Sequence, residues 1–125
     1  MNNILIVNDT PIVNKFIKHN LESEGLSVDA VMTGQEGITQ AKKNNYDIIL
    51  LDYHLPDVNG DVVCKTIKAD ARIAKTPVYY ISSLDKDKMD QVILQTGAQG
   101  FLDITVDIDE LCGKIKALLG GQNNG

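Results

Sequence analysis

The chain has 125 residues and a formal net charge of −5. This length suits a single domain, and the acidic balance argues against nucleic-acid binding through a basic face of the protein's own. No apolar run is long enough to cross a bilayer, and the N-terminus lacks the basic and apolar regions of a signal peptide. We therefore expect a cytoplasmic protein that does not associate with a membrane.

The first half of the chain predicts two strand–helix units. An apolar run over residues 3–7 predicts a strand, and Thr10-Pro11 then supplies a helix N-cap and a first helical residue. This helix ends at Gly25. Residues 26–31 predict a second strand, and residues 33–36 fit a capping box that opens the second helix. The apolar residues of the first helix follow helical spacing and are Ile12, Val13, Phe16, Ile17 and Leu21.

A buried central strand follows, and a carboxylate lies at its end. The run Ile48-Ile49-Leu50-Leu51-Asp52 has no polar alternation, which is typical of a strand covered on both faces. Pro56 cannot lie in a central strand, and Asn59-Gly60 marks a turn before Val62, Val63 and Ile67 recur at helical spacing. Asp52 is therefore predicted to end the strand at the mouth of a loop, where open α/β sheets bind their ligands.

The second half of the chain repeats the strand–helix unit twice more. Residues 77–81 predict a fourth strand that ends at Ser82-Ser83, and the helix after it ends at Thr96-Gly97. Residues 99–102 predict a fifth strand. Asp107 opens the last helix, and Gly120-Gly121 is expected to end it. We expect the folded domain to span residues 1–121, with a disordered tail over residues 122–125.

Five strands that alternate with five helices predict an α/β fold, a doubly wound five-stranded parallel sheet. The short chain favours the flavodoxin-like order 2-1-3-4-5 over a closed barrel. In that order helices 1 and 5 cover one face, and helices 2, 3 and 4 cover the other. Cys64 and Cys112 then lie on opposite faces, so no disulfide can join them.

The same strand order predicts a metal site. It brings together the carboxyl ends of strands 1 and 3, and with them Asn8, Asp9 and Asp52. Two neighbouring carboxylates repel each other, and Mg²⁺ relieves that repulsion while preferring one or two carboxylates, water and phosphate oxygens. We predict a Mg²⁺ site formed by Asp9, Asp52 and a loop carbonyl, with a weak contribution from Asn8 through water. The alternative is that Asp9 and Asp52 only cap the helices that follow.

The segment from Asp52 to Gly60, Asp-x-x-Leu-Pro-x-x-Asn-Gly after an apolar strand, resembles the response-regulator receiver family, and in particular its single-domain, chemotaxis-like members. The resemblance extends over about residues 3–119 and includes Asp9, Ser82 and Gly97-Ala98. It implies the (βα)5 receiver fold and a role in two-component signalling. Asp52 would accept a phosphoryl group from a histidine kinase or a phosphotransfer protein.

The resemblance also implies roles for the residues around Asp52. The backbone carbonyl of His54 would be the third Mg²⁺ ligand, and the Ser82 hydroxyl would donate a hydrogen bond to a phosphoryl oxygen. An output protein would bind the face formed by helix 4, strand 5 and helix 5. Such a chain would assist its own phosphorylation without turning over a separate substrate, so we do not expect an enzyme.

Two positions depart from the family's pattern. Ile104 occupies the position of a lysine that follows strand 5, and Thr105 that of the proline after it. Ile104 can donate neither a hydrogen bond nor a charge to a phosphoryl group. Asn8 replaces a usual acid, and it keeps one acceptor oxygen while it loses the charge.

Two alternatives to a phosphoacceptor remain. The first is a pseudo-receiver, an interaction module that no longer needs phosphate. The second is an enzyme of another doubly wound family, which the residues present do not favour. A haloacid-dehalogenase-type phosphatase places a second aspartate where this chain has His54, a flavodoxin needs a Ser/Thr/Gly-rich loop after strand 1, and a P-loop is absent.

Overall fold

Strands and helices alternate along the whole chain. The structure is a computed structural model that describes residues 2–83, 85–103 and 107–123, with side chains as far as residue 120. No helix in this described part is both long enough and apolar enough to cross a membrane. The elements are β1 (Asn3–Val7), α1 (Pro11–Glu22), β2 (Ser27–Val31), α2 (Gly34–Lys43), β3 (Ile48–Asp52), α3 (Gly60–Ala69), β4 (Val78–Ser82), α4 (Lys86–Thr96), β5 (Gly100–Asp103) and α5 (Ile108–Asn123).

The five strands form one parallel sheet in the order β2-β1-β3-β4-β5, which confirms the predicted fold. Successive side chains of each strand point to opposite faces, so the apolar runs supply two separate cores. One core lies between the sheet and helices α1 and α5, and the other lies under α2, α3 and α4. Cys112 belongs to the first core and Cys64 to the second, and both are free thiols, as predicted.

Most helix ends follow from local sequence. The Thr33 hydroxyl accepts a hydrogen bond from the Glu36 main-chain nitrogen at 3.1 Å, which opens α2. Asp107 accepts in the same way from the nitrogen of Glu110 at 2.8 Å and opens α5. Gly97 ends α4 with a left-handed φ of 80°, a conformation that glycine adopts without steric cost.

The end of α5 differs from the prediction. The helix continues through Gly120 and Gly121 to Asn123, so the prediction that the glycine pair ends it is wrong. A glycine inside a helix costs only about 1 kcal/mol relative to alanine, and the described glycines with a positive φ are Gly25 and Gly97. Residues 122 and 123 therefore belong to α5. The limits of the folded domain, residues 1–121, stay a prediction.

The buried face of α1 is narrower than its apolar stripe. Ile12 and Phe16 are 62% and 53% exposed, so only part of the apolar stripe faces the core. The buried residues of this helix are Asn14, Ile17 and Leu21, which follow one another at spacings of three and four residues. The helix is thus rotated so that the polar Asn14 faces the core and two large apolar side chains lie on the surface. Val62 of α3, which also follows helical spacing, is 46% exposed.

Candidate functional site

The predicted site residues lie at one edge of the sheet. Val7 is the register partner of Leu51, so the next residues, Asn8 and Asp52, lie at neighbouring strand ends. Asp52 is in turn the register partner of Ile81 in β4, and Ser82 follows Ile81. Asp9 comes directly after Asn8. Parallel strands thus place these four residues at the carboxyl edge, on the central strands of the sheet.

The carboxyl group of Asp52 is half-buried, and its environment favours the neutral form. Burial raises its pKa above the ordinary value, and the nearby negative charge of Asp9 raises it further. A hydrogen bond from the loop acts in the other direction and lowers the pKa: the main-chain nitrogen of His54 donates to Asp52 Oδ1 at 3.2 Å. The carboxylate of Asp52 is therefore held in place near the negative charge of Asp9, and a cation bound there would reduce the repulsion between the two carboxylates.

Gly60 allows the loop after β3 to close tightly. Its main-chain nitrogen donates to the carbonyl oxygen of Tyr53 at 2.6 Å. A Cβ atom at position 60 would lie 2.5 Å from the main-chain oxygen of Asp52 and 2.9 Å from the Cα of Tyr53. Only a residue without a side chain fits so close to another backbone. The first turn of α3 thereby supports the end of the strand that carries Asp52.

Asp57 ties the same loop to α2. Its Oδ1 accepts a hydrogen bond from the main-chain nitrogen of Gly34 at 2.8 Å, and its Oδ2 accepts from that of Gln35 at 2.9 Å. These nitrogens belong to the first turn of α2, where four N–H groups lack partners within the helix. The hydrogen bond from Gly34 and then that from Gln35 hold the pKa of Asp57 below its ordinary value. No motif in the sequence predicts this contact.

Removing the charge of Asp57 should make the fold less stable at neutral pH. Its pKa is lower in the folded state than in the unfolded chain, so the ionised carboxylate stabilises the fold above the unfolded pKa. That contribution disappears as the pH falls through the folded-state pKa. We expect Asp57→Asn to have a lower melting temperature than the wild type at pH 7 and a smaller deficit near pH 3. Asp87→Asn, in the first turn of α4, is the control, and a deficit independent of pH would contradict this assignment.

The residues present fit a magnesium ion. No group of three or more His, Cys, Asp or Glu side chains in the described part of the chain has a metal-binding arrangement. The predicted donors are the carboxylates of Asp9 and Asp52, together with the backbone carbonyl of His54. All three are oxygen ligands, and Mg²⁺ prefers one or two carboxylates and keeps several waters. The repulsion between Asp9 and Asp52 is the feature that a cation would relieve.

Asn8 does not present a free amide to this site. It is 1% exposed, and its Nδ2 donates to Oδ1 of Asn14 at 3.1 Å. Asn14 Nδ2 donates in return to the carbonyl oxygen of Asn8 at 2.7 Å. The predicted weak role of Asn8 toward the metal stays a prediction. Asn14 was not among the predicted site residues. The sequence signal that could have identified it is a polar residue at helical spacing from Ile17 and Leu21, on the buried side of α1.

Ser82 lies where the sequence placed it, as the last residue of β4, and it is 3% exposed. Its register partner in β5 is Asp103. Its role toward a phosphoryl group stays a prediction. Ile104 and Thr105 lie outside the described residues, so the consequences of the missing lysine and proline also stay predictions.

Comparisons with known proteins agree with this geometry. The family model of the response regulator receiver domain matches residues 4–116. The response regulator ArlR of Staphylococcus haemolyticus is 36% identical over 98% of this chain and 54% of its own length. The DNA-binding dual master transcriptional regulator RpaA of Synechocystis is 32% identical over 95% of this chain and 49% of its own. The chain thus spans about half the length of these curated relatives.

A solved structure shows the same architecture. A two-component response regulator from Clostridium difficile superposes with a TM-score of 0.87 at 28% identity, and the match covers 98% of this chain and 99% of the other. Fold, strand-end residues and sequence relatives lead to one assignment. The chain belongs to the response regulator receiver domain family of two-component signalling proteins.

Proposed function

We propose that this domain accepts a phosphoryl group on Asp52 and thereby changes its binding to a partner protein. The observation that carries the proposal is the half-buried carboxyl group of Asp52 at the end of the central strand, beside the second carboxylate of Asp9. Family membership supports a role as a signalling module. This chain matches only about half of each curated relative, so the activities of those whole proteins are not assigned to it.

The reaction needs little acid–base chemistry from the protein. A carboxylate oxygen of Asp52 attacks the phosphorus of a phosphohistidine or a small phosphodonor, the bond from phosphorus to the donor breaks, and an acyl phosphate forms. Positioning and charge neutralisation supply most of the acceleration. The hydrogen bond from the His54 nitrogen and the close contact of Gly60 with β3 hold the nucleophile in place. The Ser82 hydroxyl is proposed to donate to a phosphoryl oxygen.

Magnesium would be held by Asp9, Asp52 and the carbonyl of His54, where it would neutralise negative charge during the transfer. Asp9→Ala removes one of the two carboxylates, so we expect Mg²⁺ binding to be lost at millimolar concentration. The measurement is a Mg²⁺ titration followed by backbone amide NMR signals of residues 8, 9 and 52. Unmoved signals in the wild type would mean that the metal site is wrong.

The phosphodonor in the cell is proposed to be a histidine kinase or a phosphotransfer protein. Ile12 and Phe16 expose apolar surface on α1, which begins directly after Asp9 and Thr10. Lys15 and Lys18 lie beside Phe16, so a protein surface with apolar and acidic residues would be complementary to this helix. The output partner is proposed to bind the α4–β5–α5 face; in α4, Leu94 is 85% exposed.

The test of the proposal is incubation with acetyl phosphate and Mg²⁺, followed by mass spectrometry of the intact chain. We expect a gain of one phosphoryl group that requires Mg²⁺ and is reversed by hydroxylamine, which cleaves acyl phosphates. The control omits Mg²⁺ and adds a chelator. A chain that takes up no phosphoryl group from acetyl phosphate, and shows no amide shifts with beryllofluoride, would instead be a pseudo-receiver.

A further inference from the structure

The turn between β1 and α1 carries Asp9 and is held by one residue on both sides. Before Asp9, the side chain of Asn14 donates to the Asn8 carbonyl at 2.7 Å and accepts from Asn8 Nδ2 at 3.1 Å. After Asp9, the main-chain nitrogen of Asn14 donates to the carbonyl of Thr10 at 3.1 Å. Asp9 itself is exposed. Its position therefore depends on contacts made by its neighbours rather than on its own burial.

The orientation of Asn8 follows from the strand. Ile4 and Ile6 belong to the core under α1 and α5, and Asn8, two residues further, continues that face toward α1. The main-chain nitrogen of Asn8 also donates to the carbonyl oxygen of Val31 in β2 at 3.0 Å. Asn14 is only 6% exposed and follows the same buried side of α1 as Ile17. Each asparagine is thus fixed by a different element, and the pair joins the two elements.

The two amides are matched in hydrogen-bonding type. Asn14 uses its oxygen to accept from the amide of Asn8 and its nitrogen to donate to the carbonyl of Asn8. An aspartate at position 14 would have no donor for that carbonyl, and an apolar residue would have neither group. Buried polar groups that lose their partners cost free energy. The arrangement is therefore specific to an amide at position 14.

We propose that Asn14 is a positioning residue for Asp9, and that its side chain sets the affinity of the site for Mg²⁺ by fixing the main chain at Asn8, directly before this ligand. The inference rests on the proposed function, because the Mg²⁺ site is part of that proposal. Residues that orient a metal ligand without touching the metal commonly change metal affinity by about 10- to 100-fold when they are replaced. Asn14 stands in that relation to Asp9.

The experiment compares Mg²⁺ dissociation constants, obtained from amide NMR titrations, for the wild type, Asn14→Leu and Thr96→Val. Leucine has the same number of side-chain heavy atoms as asparagine and the same branch at Cγ, and it removes both side-chain hydrogen bonds, so the Kd should rise by about tenfold. Thr96 is the control because its buried hydroxyl accepts from the Tyr80 hydroxyl at 3.1 Å and donates to the Val92 carbonyl at 2.7 Å. Thr96→Val should lower the melting temperature and leave the Kd for Mg²⁺ unchanged.

A second variant guards against an unfolded Asn14→Leu. Asn14→Ser keeps a hydroxyl that is too short to make both hydrogen bonds, and its Kd should also exceed that of the wild type. If either folded variant binds Mg²⁺ as tightly as the wild type, or if Thr96→Val weakens binding equally, Asn14 is only a structural residue. In that case a wild type that still takes up phosphate leaves the proposed function intact. A wild type that neither binds Mg²⁺ nor takes up phosphate overturns both.

Discussion

Gly60→Ala is expected to destabilise the fold by roughly 2–3 kcal/mol, the upper part of the range for forcing extra volume into a well-packed site. The added Cβ would lie 2.5 Å from the main-chain oxygen of Asp52, which cannot rotate away as a side chain could. Either the first turn of α3 or the end of β3 must shift. The melting temperature should therefore fall by on the order of 10 °C, as measured by calorimetry or circular dichroism.

A glycine-to-alanine substitution at an open helical position should instead stabilise the fold. A Cβ at Gly113, which is exposed in α5, meets nothing within 4 Å. Alanine there removes the entropic cost of a helical glycine, so Gly113→Ala should stabilise by about 0.5–1 kcal/mol. In Gly60→Ala the shift of Asp52 should also weaken Mg²⁺ binding. Equal stability changes in the two variants would show that the close contact at Gly60 is relaxed in solution.

The strand ends were predictable because unbroken apolar runs mark buried parallel strands. The alternation of elements predicts a parallel sheet, and the short chain favours the order 2-1-3-4-5. In that order Asp9, Asp52 and Ser82 must share one edge of the sheet. The caps of α2 and α5 were equally local, since Thr33 and Asp107 each bond the nitrogen three residues later. Sequence sufficed wherever the deciding contact was short-range or was set by strand order.

Side-chain contacts between a helix and a loop, or between a helix and the sheet, were not predictable. Asp57 bonds Gly34 and Gln35, more than twenty residues away, and this pairing depends on how the loop after β3 turns over α2. Periodicity identified an apolar stripe on α1, but it could not say which part of the stripe meets the sheet. The answer depends on the rotation of the helix, which places Asn14 inward and leaves Phe16 at the surface.

Asp52→Asn is expected to abolish phosphorylation by acetyl phosphate and Mg²⁺. The amide has no carboxylate to attack phosphorus, while its oxygen can still accept the hydrogen bond that His54 now donates to Oδ1. The loss should therefore be complete without a loss of structure. The control is Asp87→Asn, which changes an exposed carboxylate in the first turn of α4 and should keep the label. Phosphoryl label that persists in Asp52→Asn would show that another residue is the acceptor.

The same variant should be more stable than the wild type when no metal is present. Burial, together with the charge of Asp9, raises the pKa of Asp52 in the folded state, so the ionised form costs stability at pH 7. A neutral amide of the same shape removes that cost and raises the melting temperature. The advantage should shrink as the pH falls through the folded-state pKa, because the wild-type acid then becomes neutral as well. Adding Mg²⁺ should stabilise the wild type more than the variant, since a ligand stabilises the state that binds it. A metal-free Asp52→Asn variant that melts below the wild type would contradict the view that the fold holds this carboxylate at a cost in stability.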